Sequence, residues 1–132
     1  MSEMRKMDEE ARHHVLIVED EVGANALLAA YLLRKGYRVT TAENGTRGFS
    51  KFLEDPAHLV ISDLKMPGLD GMKLIELIRS MEPTVPVVVA SGYVSPLDKA
   101  KLEAYGNVEV FKKPIDLRAL KKSVDMLLKK AS

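Results

Sequence analysis

The sequence contains no cysteine, no long apolar run and no marked excess of either charge. Without cysteine, a chain of 132 residues has no disulfide bonds, no zinc–thiolate site and no thiol nucleophile. No apolar run approaches the roughly 18 residues of a membrane span, and residues 1–12 lack the apolar stretch of a secretory signal. The formal net charge of +1 gives no strong field toward nucleic acid or an anionic membrane. We therefore expect a cytoplasmic globular protein without direct nucleic-acid or membrane contacts.

The composition and length of the chain indicate one folded domain. The chain is 46% hydrophobic and 30% charged, which is typical of a globular protein, and its length matches a single domain. Large apolar residues are sparse in residues 1–12 and absent from residues 129–132. We expect a flexible tail at 1–12, one domain over 13–130 and a short C-terminal tail at 131–132.

Short apolar runs alternate with longer stretches of helical spacing. The runs predict strands at Val15–Val18, Tyr37–Ala42, Leu59–Ser62, Val85–Ala90 and Val108–Phe111. The stretches predict helices over 22–35, 46–53, 72–81 and 96–105, and a fifth helix that Asp116 caps. Strand-to-strand connections of this length require crossover helices and parallel pairing. The pattern predicts a doubly wound α/β fold, a five-stranded parallel sheet with helices on both faces. The order 2-1-3-4-5 is common in such sheets, although the spacing alone does not select it.

Polar side chains follow four of the predicted strands at the point where each strand ends. They are Glu19 and Asp20 after the first strand, Asp63 after the third, Ser91 after the fourth and Lys113 after the fifth. Because the carboxyl ends of parallel strands share one edge of the sheet, we expect these five residues to lie close together.

Their chemistry predicts phosphorylation of an aspartate. Three clustered carboxylates repel one another unless a cation lies among them, and an oxygen-only donor set suits Mg²⁺. A carboxylate can attack phosphorus to form an acyl phosphate, while a lysine and a hydroxyl hold the phosphoryl oxygens. Each of these residues taken alone is ordinarily a solvated loop residue or a helix cap, so the interpretation depends on their coincidence at one edge. His13 and His14 have no acid or cysteine at ligand spacing, and we expect them to form a surface pair.

Five short motifs occur at the strand ends and in the order of a known family. They are VLIVEDE (15–21), AENG (42–45), SDLKMPGLDG (62–71), ASG (90–92) and KKP (112–114). With these motifs the chain resembles the response-regulator receiver domains of two-component signalling, over nearly its whole length. The resemblance implies a flavodoxin-like fold with the strand order 2-1-3-4-5.

The resemblance also implies a role for each acid of the cluster. Asp63 matches the phosphoacceptor. Asp20 matches a direct ligand of Mg²⁺ (or Mn²⁺), and Glu19 matches a ligand that acts through water. The backbone carbonyl of Lys65 matches a further metal ligand.

Ser91 and Lys113 match the hydroxyl that follows the phosphoryl group and the lysine that pairs with it. In such proteins the bond before the next residue, Pro114, is usually cis. The resemblance implies that a sensor histidine kinase or a histidine phosphotransfer protein donates the phosphoryl group. It implies that the domain catalyses its own phosphorylation and dephosphorylation and is not otherwise an enzyme. We expect output through the face formed by the fourth helix, fifth strand and fifth helix, to a downstream protein, an output domain or a phosphorylation-dependent dimer.

The chain departs from the family pattern at positions that modulate the site. Many receivers carry an aromatic switch residue where this sequence has Val110, and Phe111 should point to the opposite side of the strand. Lys65 and Tyr93 occupy the positions that control access of the hydrolytic water. Because both are large, we expect a long-lived phosphoryl group.

Two other functions remain open from the residues. One is a pseudo-receiver, an interaction module that uses the fold without phosphorylation, although such proteins usually lose part of the site. The other is a Mg²⁺-dependent phosphohydrolase. That enzyme would need a second acid two residues after the nucleophile, where this sequence has Lys65.

Overall fold

The structure, a computed structural model, describes residues 12–131, in which five strands and five helices alternate. They are β1 His14–Val18, α1 Val22–Arg34, β2 Arg38–Ala42, α2 Gly45–Glu54, β3 Leu59–Ser62, α3 Gly71–Met81, β4 Val87–Ser91, α4 Pro96–Tyr105, β5 Val108–Lys112 and α5 Leu117–Ala131. None of these ten elements is a helix long and apolar enough to cross a bilayer. Of the predicted tails, residues 1–11 and 132 lie outside the described residues.

All five strands pair in parallel in the order β2-β1-β3-β4-β5, as the family resemblance implied. Val18 at the end of β1 pairs with Ala42 at the end of β2 and with Ser62 at the end of β3. The three strands therefore end level with one another. Because their ends are level, the residues that follow β1 and β3 emerge side by side.

Helices cover both faces of the sheet. One apolar cluster joins the sheet to α2, α3 and α4, and includes Phe52, Leu74 and Leu102. The other joins it to α1 and α5, and includes Leu32 and Leu120. Every residue of β1, β3 and β4 is buried, as expected for central strands that are apolar except for one polar residue at an end of each, His14, Ser62 or Ser91.

The fourth strand lies one to two residues later than its sequence pattern predicts. It begins at Val87 because Pro86 has no N–H to donate to the ladder. It continues through Ser91, which pairs with Lys112 and accepts a backbone hydrogen bond from Lys113 at 3.0 Å. Ser91 is thus the last residue of the strand and is held more rigidly than a loop residue.

The expectation of a surface histidine pair was wrong for His14, whose side chain is 1% exposed. His14 is the first residue of β1, so it lies at the amino-terminal end of the strands, opposite to the acids. Its Nε2 lies 2.6 Å from the Thr40 hydroxyl, and its Nδ1 lies 3.9 Å from the Asp55 carboxylate, which also binds Arg38. Its backbone N–H donates to Nδ1 of His58 at 2.8 Å. The ring contacts Thr40 of β2 and lies near Asp55, which are 26 and 41 residues away in the sequence, so the local sequence pattern does not show its burial.

Burial of His14 predicts a loss of stability in mild acid. Burial and the nearby Arg38 guanidinium hold the pKa of His14 below its ordinary value, and the Asp55 carboxylate offsets this only in part. The unfolded chain takes up a proton near pH 6.5, whereas folded His14 does so only at lower pH, so the free energy of unfolding falls as the pH drops below about 6.5. Urea titrations between about pH 7 and pH 5 should show a shallower loss for His14→Asn than for the parent. His13→Gln is the control, and equal slopes for His14→Asn and the parent would contradict this assignment.

Candidate functional site

Three carboxylates meet at the carboxyl edge of the sheet. Glu19, Asp20 and Asp63 each offer an oxygen atom, and these oxygens all lie within 4.8 Å of one another. Backbone hydrogen bonds fix two of the acids, from Glu19 N–H to the Ala42 carbonyl (3.0 Å) and from Asp63 N–H to the Val18 carbonyl (3.2 Å). Glu19 is 3% exposed, whereas Asp20 faces solvent. The level strand ends therefore bring together the acids that the sequence places 43 and 44 residues apart.

Lys113 bridges two of these acids. Its Nζ donates to Oε1 of Glu19 at 2.5 Å and to Oδ2 of Asp63 at 2.9 Å. The residue follows β5, and its peptide bond to Pro114 is cis. Lys113 thus reaches from the edge strand across β4 to the acids that follow β1 and β3.

The electrostatics of the cluster favour a further cation. Burial raises the pKa of the Glu19 carboxyl, and its hydrogen bond from Lys113 offsets this only in part. Burial lowers the pKa of Lys113, but its bonds to Glu19 and Asp63 outweigh that effect and leave the pKa raised. Lys113 is therefore protonated, and its single positive charge balances only one of the three carboxylate charges in the cluster. The donors are all oxygen atoms, so the residues present fit a hard divalent ion such as Mg²⁺.

The turn after β3 places Lys65 beside Asp63. The Lys65 N–H donates to Oδ1 of Asp63 at 3.2 Å, and its Nζ lies 5.9 Å from the centre of the Tyr93 ring. The backbone of Lys65 is therefore at the acid cluster, while its side chain reaches toward the loop after β4. Asp70 ends the turn and caps α3 by accepting the Lys73 N–H at 2.9 Å.

Ser91 is buried at the carboxyl end of β4, and its hydroxyl is turned toward the loop that follows. The Oγ atom donates to the backbone carbonyl of Tyr93 at 3.0 Å. Val110 is 43% exposed and, with Ser91 and Tyr93, lines a cavity of about 410 Å³ beside α4. Phe111 packs on the opposite face with α1 and α5, which confirms its predicted direction.

Sequence reasoning missed Asn25, a buried polar residue of α1. Its amide nitrogen donates to the carbonyls of Glu19 and Ala42, both at 3.0 Å. It lies on the buried face of the helix with Leu28 and Leu32. Asn25 lies three and seven residues before Leu28 and Leu32, a spacing that puts all three on one face of a helix. This spacing was the sequence signal that would have marked Asn25 as a buried polar residue.

Fold and site together define a flavodoxin-like α/β domain with a carboxylate cluster and a lysine at its carboxyl edge. The family model described as "Response regulator receiver domain" matches residues 15–125. The chain belongs to this family, whose members are signalling domains of two-component systems rather than enzymes in the usual sense.

Curated relatives and a solved structure agree with this assignment. The transcriptional regulatory protein GlrR of Escherichia coli is 34% identical over 119 residues, covering 90% of this chain but only 27% of that protein. The response regulator receiver protein CpdR of Brucella abortus is 26% identical over 114 residues, covering 86% of this chain and 95% of CpdR. The chemotaxis protein CheY4 of Vibrio cholerae superimposes with a TM-score of 0.82 at 26% identity, covering 89% of this chain and 99% of CheY4. The chain thus spans about a quarter of the length of the transcriptional regulator GlrR.

Proposed function

We propose that the domain accepts a phosphoryl group on Asp63 in a Mg²⁺-dependent reaction. The bridge from Lys113 to Glu19 and Asp63 is the observation that carries the proposal, because it places one fixed cation against the acceptor carboxylate. Glu19, Asp20, Asp63 and the backbone carbonyl of Lys65 would hold the metal. When bound, Mg²⁺ (or Mn²⁺) neutralises charge on the phosphoryl oxygens.

The acceptor chemistry follows from the positions of three side chains. An Asp63 carboxylate oxygen forms a bond to phosphorus while the bond from phosphorus to the donor's histidine nitrogen breaks, and the imidazole leaves with the electron pair. The Lys113 ammonium, 2.9 Å from Asp63, pairs with the charge of the transferred group. Ser91 then donates its hydroxyl proton to a phosphoryl oxygen instead of to the Tyr93 carbonyl.

The partners of the domain follow from the same proposal. A sensor histidine kinase or a histidine phosphotransfer protein supplies the phosphoryl group in the cytoplasm. The receiver passes the signal to a downstream protein, an output domain or a second receiver. We place output on the face of α4, β5 and α5, which meets the site at Ser91.

Because Val110 replaces the usual aromatic residue, the segment from Ser91 to Leu97, which joins the end of β4 to the start of α4, carries the switch. Release of the Tyr93 carbonyl by the Ser91 hydroxyl frees this segment beside the cavity at Val110. Tyr93 is exposed and is the side chain available to report the change.

The two other functions have less support. A pseudo-receiver would usually lack part of the cluster, and this chain brings all of it together. A phosphohydrolase would need a carboxylic acid at position 65 to protonate its leaving group, and this sequence has a lysine there.

Labelling by a small-molecule phosphodonor tests the proposed function. Incubation of the purified domain with phosphoramidate and Mg²⁺ should add the mass of one phosphoryl group, measured by intact-protein mass spectrometry. Excess EDTA should reduce the labelling to background, because the carboxylates then repel the incoming phosphoryl group. No mass gain in saturating Mg²⁺ would show that the domain is not a phosphoacceptor.

Lys65 and Tyr93 should lengthen the life of the phosphoryl group. The Lys65 N–H donates to Oδ1 of Asp63, and the Lys65 Nζ lies 5.9 Å from the centre of the Tyr93 ring. From this proximity we infer that the two large side chains restrict the access of water to phosphorylated Asp63. The double variant Lys65→Asn, Tyr93→Glu should lose its phosphoryl group several-fold faster than the parent, as followed by mass spectrometry after the donor is removed. Lys99→Asn, which removes a lysine from the neighbouring helix, is the control. Equal decay in the double variant and the parent would rule out this shielding.

A further inference from the structure

Asn25 is a polar residue, 9% exposed, in the apolar layer between α1 and the sheet. Its side-chain amide has two N–H donors, and two backbone carbonyls at the acid edge accept them. One is the carbonyl of Glu19 and the other is the carbonyl of Ala42, each at 3.0 Å. The same Ala42 carbonyl also accepts the Glu19 N–H at 3.0 Å. The peptide groups on both sides of Glu19 are therefore held, one by β2 and the other by α1.

These hydrogen bonds matter because Glu19 follows the last residue of β1 and lies outside the sheet. Beyond Val18 the ladder to β3 stops, so Glu19 has no further strand to fix its carbonyl. Its carboxylate nevertheless has two defined contacts, with Lys113 Nζ through Oε1 and with the Glu21 N–H through Oε2 at 3.3 Å. A side chain keeps such contacts only if the backbone that carries it is fixed.

We propose that Asn25 is a positioning residue, which holds the backbone of Glu19 so that the Glu19–Asp20 segment faces Asp63 and Lys113. The inference rests on the proposed function, because it gives the segment a metal to hold. Residues behind metal ligands typically contribute about ten- to a hundredfold to metal affinity. Replacing Asn25 leaves the two carbonyls without their donor and lets the acidic segment move.

The test measures metal binding without any phosphodonor. Asn25→Leu keeps the approximate size of the side chain and removes both donors. We expect the Mg²⁺ dissociation constant, measured from amide shifts in ¹H–¹⁵N NMR spectra, to rise about ten- to a hundredfold. In Mg²⁺-free protein, the amide proton of Glu19 should also exchange faster with solvent than in the parent. Asn25→Ala removes the same donors without adding apolar volume and replaces Asn25→Leu if that variant does not fold.

Leu28→Ala is the matched control. Leu28 is buried on the same face of α1 as Asn25 and belongs to the apolar cluster that joins the sheet to α1 and α5. This substitution should lower the melting temperature at least as much as the Asn25 variants and leave Mg²⁺ affinity within about twofold of the parent, well below the effect expected behind a ligand. Equal Mg²⁺ affinity in parent and Asn25 variants would overturn the positioning role while leaving the proposed function intact. A parent domain that binds no Mg²⁺ would overturn the proposed function itself.

Discussion

Asp63→Asn will reduce phosphoryl labelling from phosphoramidate to background. A carboxamide cannot form the acyl phosphate that the proposed reaction requires. The substitution keeps the size of the side chain, and Oδ1 of asparagine can still accept the Lys65 N–H that Asp63 accepts at 3.2 Å. The variant should therefore fold like the parent, and its loss of labelling reports chemistry rather than structure. Intact mass after equal incubation with Mg²⁺ and donor gives the result directly.

Asp70→Asn is the matched control for this substitution. Asp70 lies in the same turn, but it caps α3 through the Lys73 N–H at 2.9 Å and is exposed. Asparagine is an equally good cap, so helix α3 should be retained. We expect Asp70→Asn to label like the parent. Labelling of Asp63→Asn at the parental rate would place the acceptor elsewhere.

Gly71→Ala will cause the largest loss of stability among single-methyl additions near the site. A Cβ atom at Gly71 would lie 1.9 Å from the Asp63 carbonyl oxygen and 2.6 Å from the Leu64 Cα. Both are backbone atoms, so neither can rotate away, and α3 or the end of β3 must shift. Overpacking of a well-packed interior typically costs about 1–3 kcal/mol, and we expect the upper end of that range. Urea unfolding measures the loss, and the displaced Asp63 backbone should slow phosphoryl labelling as well.

Gly23→Ala adds the same methyl group where there is room for it. Gly23 is exposed in the first turn of α1, and its added Cβ would make an ordinary contact of 3.4 Å with Oε1 of Glu21. Alanine is preferred to glycine in helices, so stability should rise by up to about 1 kcal/mol. If Gly71→Ala unfolds at the same urea concentration as the parent, the close approach of α3 to Asp63 is wrong.

The sequence was sufficient to predict the fold and the members of the acid cluster. Strands β1, β3 and β4 each contain a continuous apolar run, a local signal of burial on both faces. Once parallel pairing is inferred, Glu19, Asp20 and Asp63 must follow strands that end at one edge. Asp116 also caps α5 as predicted, because its Oδ1 accepts the N–H groups of the second and third residues that follow it.

Other features depend on contacts between segments that are distant in sequence. His14 is buried by β2, and its neighbour Asp55 comes from the end of α2. Asn25 reaches two carbonyls, of which Ala42 is 17 residues away. The direction of the Ser91 hydroxyl is set by a loop conformation. The spacing of Asn25 with Leu28 and Leu32 marks it as a residue of the buried helix face, but no local pattern of hydrophobicity identifies the partners in these contacts. Only the folded structure shows them.

We propose that Asp63, and no other carboxylate of the domain, receives the phosphoryl group. The most direct test reduces the phosphoramidate-labelled domain with borohydride, which converts an aspartyl phosphate to homoserine, and locates the modified residue by peptide mass spectrometry. We expect homoserine at position 63, and none in a sample incubated without Mg²⁺. Homoserine at position 20, or at any other acidic residue in place of 63, would contradict it.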